Sequence, residues 1–83
     1  MHINEMYFTY KSFNLLARNG ITTANMLRCV PDEFIIALKG GNKEQTDEIL
    51  EALHLLRKVG EKRFLEEWMI QNHYLNKEEF KND

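Results

Sequence analysis

Apolar residues recur along this chain at intervals of three and four, and nowhere alternate over a strand-length run, which is the signature of helices packed through one face. Phe13, Leu16 and Ala17 stand at i, i+3 and i+4 and predict a helix over 10–18, with Thr9 as N-cap and Asn19-Gly20 as its stop. A short helix over 23–29 follows, with Thr22 as N-cap and Met26, Leu27 and Val30 apolar. Pro31 opens a third helix over 32–38, because its missing N–H costs nothing in a first turn. There Asp32 and Glu33 suit the positive end of the dipole, and Phe34, Ile35 and Leu38 supply the buried face. Ile49, Ala52, Leu53 and Leu56 keep the helical period through a fourth helix over 43–58, closed by Arg57 and Lys58. After Gly60, a last amphipathic segment over 61–74 carries Phe64, Leu65, Trp68 and Met69 on one side. Asn76 and Glu79 have capping-box spacing and start one further turn.

The expected fold is all-α, a small helical bundle with a hairpin at its centre and an added C-terminal helix. Residues 1–60 form the body, and 61–83 an amphipathic helix and tail. Eighty-three residues with 43% apolar content support one modest core. Cys29 is the single cysteine, so no intrachain disulfide forms, and His2, His54 and His73 are too scattered for a ligand set; no metal or other cofactor is expected. No Ser-His-Asp set is present. The pairs Glu66-Glu67 and Glu78-Glu79 are adjacent in sequence and diverge around a helix, so the chain is expected not to be an enzyme. The opening MHINEMYFTY lacks the basic and apolar regions of a leader, and no apolar run approaches the ~20 residues of a membrane span. A cytoplasmic protein with no membrane association is the expectation.

Charge narrows the choice of partner. Residues 1–60 hold seven Lys/Arg and seven Asp/Glu, and 61–83 hold four and six, which gives the net charge of −2. Dedicated nucleic-acid binders usually carry a positive balance. Any binding to DNA is therefore expected to be weak and salt-sensitive.

The sharpest break in the chain is Lys39-Gly40-Gly41-Asn42, where Gly40 and Gly41, or one of them with Asn42, are expected to take positive φ. A glycine-rich turn that leads into a helix N-terminus presents free backbone N–H groups to an anion. Around it lie the blocks SFNLLARNGITTANML (12–27), PDEFIIALK (31–39) and KGGNKEQTDEIL (39–50). In these blocks, from Lys11 to Leu50, the chain resembles the C-terminal domain of the bacterial RNA polymerase alpha subunit, a helix-hairpin-helix unit. The resemblance implies backbone-directed, sequence-independent binding of duplex DNA, in a transcription or mobile-element setting. Where the family places an arginine and an asparagine on its first helix, this chain has Lys11 and Asn14. The first hairpin glycine is Gly40 and is followed by Gly41, the second family glycine becomes Asn42, Lys43 is retained, and the family's serine becomes Gln45. Glu44 stands where the family has a second lysine, a reversal of charge, and Glu48 matches an acidic position further along the helix.

Two readings of the partner follow. In the first, Lys11, Asn14, Gly40, Gly41, Asn42, Lys43 and Gln45 hold duplex DNA. In the second, the fold is kept but the partner is a protein, in particular one of the transcription machinery. Phe64, Leu65, Trp68 and Met69 then either close the core or offer a surface to that partner or to a second copy of the chain.

Overall fold

The computed structural model describes residues 1–72. A short 3₁₀ turn, Ile3–Glu5, leads into five helices: α1 Tyr10–Arg18, α2 Ala24–Cys29, α3 Asp32–Ile36, α4 Lys43–Val59 and α5 Glu61–Gln71. The described part is an all-α bundle with no strand, and its longest helix, α4, packs against each of the others. No helix among the described residues is long and apolar enough to cross a membrane. Tyr74 and the Asn76–Glu79 capping box lie outside the described residues, and α5 ends at Gln71, where the Asn72 side chain donates to the Trp68 carbonyl at 2.9 Å.

The core faces of the helices follow the helical period, although not always through the expected residues. On α4, Gln45, Ile49, Ala52, Leu53 and Leu56 form one buried stripe. On α1 the buried side is Ser12, Leu15 and Leu16, whereas Phe13 and Ala17 sit half-buried at its border. The expected face is rotated because Ser12 turns inward to a carboxylate on α4. Thr23, not Thr22, caps α2, accepting from the Met26 N–H at 3.1 Å. Met26 is consequently exposed, and Ala24 with Leu27 fills the core. Helix α3 ends at Ile36, two residues early, with Pro31 just before its first residue. One turn and a half can bury only one side chain fully, and that is Ile35; Phe34 remains exposed.

The first six residues supply part of the core. Ile3 N–H donates to the Thr22 carbonyl at 3.0 Å, and Ala24 N–H to the Met1 carbonyl at 2.8 Å. This short pairing presses Ile3 and Met6 into the same core as Leu16, Leu27 and Leu53. At the other end, Gly60 takes φ +81°, closes α4 through its N–H to the Leu56 carbonyl and redirects the chain into α5. Phe64 and Trp68, one turn apart on α5, are fully buried and stacked with ring centroids 5.6 Å apart. Phe8 meets Trp68 edge-on at 6.2 Å. Helix α5 therefore shares the core of residues 1–60.

Candidate functional site

Helices α3 and α4 are joined by the 37–42 hairpin, which closes against α1. Among its turn-prone residues only Gly40 has positive φ, +89°; Gly41 and Asn42 do not, contrary to expectation. Gly41 is required for a different reason. A Cβ added there would lie 2.7 Å from Cδ2 of Leu15, so the hairpin approaches buried α1 more closely than a side chain allows. Asn42 is extended (φ −114°) because it serves as the N-cap of α4. Its side-chain oxygen accepts from the Gln45 N–H at 3.1 Å, and the Gln45 side chain accepts in return from the Asn42 N–H at 3.0 Å. This capping box satisfies two backbone donors that an anion would otherwise meet. The amides of Lys43 and Glu44 make no hydrogen bond among the described residues.

A groove of about 660 Å³ runs between the hairpin and α1 and is lined by Tyr10, Lys11, Asn14, Arg18, Gly40, Asn42 and Gln45. Five of the residues assigned to DNA from sequence thus converge on one surface: Lys11, Asn14, Gly40, Asn42 and Gln45. Gly41 and Lys43 do not line it. Gly41 is turned onto Leu15, and the Lys43 ammonium is held by Asp47 at 2.6 Å, one helical turn on. That bond raises the pKa of Lys43 and keeps it cationic, but it also neutralises the charge locally. Gln45 lies almost wholly in the interior and has its carbonyl committed to the capping box.

Sequence reasoning missed Arg18. Two turns along α1 from Lys11, its guanidinium lies against the hairpin, 3.4 Å from where a Cβ on Gly40 would be. A Cβ there would make only ordinary contact with that cation, so the glycine at 40 answers to its positive φ. The signal was present in the sequence as the seven-residue spacing from Lys11, which returns to the same helix face.

Beside this basic groove lies an acidic one, lined in part by Glu44, Asp47, Glu48 and Glu51 along α4, with Lys11 at the shared border. Glu48 has a structural task. Its carboxylate accepts from the Thr9 N–H at 2.9 Å, from the Thr9 hydroxyl at 2.6 Å and from the hydroxyl of fully buried Ser12. A side chain of α4 thereby caps α1, in place of the Thr9 side chain that was expected to do so. A second polar cluster ties α3 to α4. Asp32 is hydrogen-bonded to His54 at 2.6 Å and accepts from Arg57 at 2.9 Å, and Arg57 also donates to the Val30 carbonyl at 2.6 Å. The His54 hydrogen bond first, then that of Arg57, holds the Asp32 carboxyl below the ordinary carboxylate range.

Of the α5 stripe, Phe64 and Trp68 belong to the core and offer no surface, with Phe8 against Trp68 and α4 against the helix; Leu65 packs half-buried on that core, and Met69 is half-buried. Cys29 is exposed, and no group of three or more metal-ligating side chains is assembled among the described residues. No family model matches the chain, and no curated protein or solved structure is significantly similar to it.

Proposed function

We propose that this chain is a small, non-enzymatic helix-hairpin-helix module that holds duplex DNA weakly through its phosphate backbone, in a transcription or mobile-element setting. The observation that carries the reading is the groove in which Lys11, Asn14 and Arg18 of α1 face Gly40 and Asn42 of the hairpin. Two cations and a side-chain amide lining one groove with a glycine turn suit a phosphate, and such contacts position a protein without reading bases. The resemblance to the polymerase alpha C-terminal domain supports the same surface. The test is a titration of labelled duplex at low salt. Binding weaker than ~1 µM at physiological salt and indifferent to sequence is expected. Arg18→Ala and Lys11→Ala should each loosen it and shallow the salt dependence by about one. Glu44→Lys, which removes an acid beside the groove and adds a cation, should tighten it.

A second reading, a protein-interaction module with a partner in the transcription machinery, is favoured by the exposed Phe34 and Ile36 on α3 and by the acidic row on α4. If neither the parent nor Glu44→Lys binds duplex at low salt, the DNA reading fails and this one replaces it.

A further inference from the structure

Tyr10 is the most exposed large hydrophobic side chain among the described residues, at 77%. It borders three depressions at once: the basic groove, the acidic groove, and a shallow apolar cleft of about 280 Å³ formed with Ile3, Asn4, Phe8 and Phe13. On α1, Tyr10, Asn14 and Arg18 stand at i, i+4 and i+8, so they form one line about 12 Å long. One end of that line is an open aromatic face beside an apolar cleft; the other is a guanidinium beside the hairpin.

We propose that Tyr10 is a stacking platform for an unpaired DNA base, and that the groove takes a strand where duplex gives way to single strand. This rests on the reading of the groove as a backbone site. Phosphates along the Lys11–Arg18 side would leave the strand's next base at the Tyr10 end, over the phenol ring and the Phe8–Phe13 cleft. Within a duplex, both faces of that base are covered by its neighbours, and Tyr10 could meet only sugar and phosphate. An unpaired base has a free face, and aromatic stacking of this kind tolerates any base. The cleft lies just below the ~300–1,000 Å³ of ordinary small-molecule sites, which suits one ring system and nothing larger.

The experiment uses the full chain at low salt and measures anisotropy with three labelled probes: a blunt duplex, the same duplex with a short single-stranded DNA overhang, and that duplex with an abasic overhang. The overhang should bind about tenfold more tightly than the blunt duplex, the gain expected from one stacked base. The abasic overhang should lose that gain. Tyr10→Ala should bring the overhang-to-blunt ratio close to one, and Tyr10→Phe should keep it; both variants change only an exposed ring. Equal affinity of the parent for blunt and overhang probes would overturn this inference and leave the duplex reading standing. A preference that survives Tyr10→Ala would overturn the role of Tyr10. No binding of any probe would overturn both readings.

Discussion

Removing the Glu48 carboxylate should destabilise the domain through a helix other than its own. In Glu48→Ala, the Thr9 N–H loses its cap and the hydroxyl of Ser12, fully buried, loses its acceptor. Loss of an N-cap costs about 0.5–2 kcal/mol. The Ser12 hydroxyl keeps only its 3.3 Å contact with the Thr9 hydroxyl, and an under-satisfied buried hydroxyl costs about 1–3 kcal/mol more. Solvent at the exposed Thr9 end replaces part of the loss, so we expect about 2 kcal/mol in total, towards the lower end of the summed range of about 1.5–5 kcal/mol. For a domain of this size, that is a fall in melting temperature of roughly 8–16 °C. Thermal unfolding followed by circular dichroism gives the single-mutant value, and a double-mutant cycle with Ser12→Ala isolates the buried bond. In the Ser12→Ala background the Glu48→Ala cost should fall by at least ~0.5 kcal/mol, since no under-satisfied hydroxyl is then created. A Glu48→Ala melt within about 2 °C of the parent, a shift equivalent to well under 1 kcal/mol, would refute the cap. Strict additivity with Ser12→Ala would refute the buried bond.

The remaining expectations concern the hairpin, the core and pH. Gly41→Ala should cost about 1–3 kcal/mol by forcing the new Cβ into Leu15, and Gly41→Ala with Leu15→Val should recover part of it; melts of both variants decide. Gly40→Ala should cost about 1–2 kcal/mol from positive φ, with no rescue by Leu15→Val, and an unshifted melt would contradict the turn geometry. Phe64→Ala should cost about 3–5 kcal/mol, enough to leave so small a domain largely unfolded at 37 °C, whereas a separate C-terminal appendage would leave the body's melt unchanged. The lowered pKa of Asp32 means that the unfolded chain takes up this proton first as pH falls. Its stabilising contribution is therefore complete above the ordinary carboxylate range and is lost as pH drops through the folded value. Carbon NMR of the Asp32 carboxyl should give a midpoint below that range, and one that moves upward in His54→Ala.

Helix positions were legible because their signals are local. The stripe Ile49–Leu56 needs only its own spacing, and the proline-acid start of α3 and the glycine break at 60 are read from neighbouring residues. What escaped was set by distant partners. Ser12 is buried because a carboxylate thirty-six residues away accepts its hydroxyl, and no periodicity in α1 announces that. Ile3 and Met6 enter the core because 1–3 pair with 22–24, across a contact the first ten residues cannot reveal. The two hairpin glycines looked equivalent in sequence, but one answers to backbone conformation and the other to the proximity of Leu15. At the site, residue types pointed to Lys11, Asn14 and Gly40; the fold adds Arg18, whose spacing from Lys11 was its one sequence signal, and shows that Lys43 is engaged by Asp47.

These placements also fix where any affinity for DNA must arise. A helix N-terminus attracts an anion through unpaired N–H groups and a partial positive charge of about one half. On α4 two of those donors are consumed by the Asn42–Gln45 box, and the carboxylates of Glu44 and Asp47 already complement the positive end from the first turns. A phosphate at the tip of α4 would compete with side chains that are in place before it arrives. The net cationic contribution comes instead from Lys11 and Arg18 on α1. Two neutralised phosphates give a slope of log affinity against log salt near −1.8, from about 0.9 per contact. Affinity should then fall only about tenfold between 50 and 200 mM salt, against the 10³–10⁵ of binders making six to ten contacts. A measured slope of −4 or steeper would mean that Lys43 leaves Asp47 on binding and that cations beyond the groove take part. In that case Asp47→Asn, which frees Lys43 in advance, should tighten binding; at a slope near −1.8 the gain should be confined to the loss of one acidic neighbour.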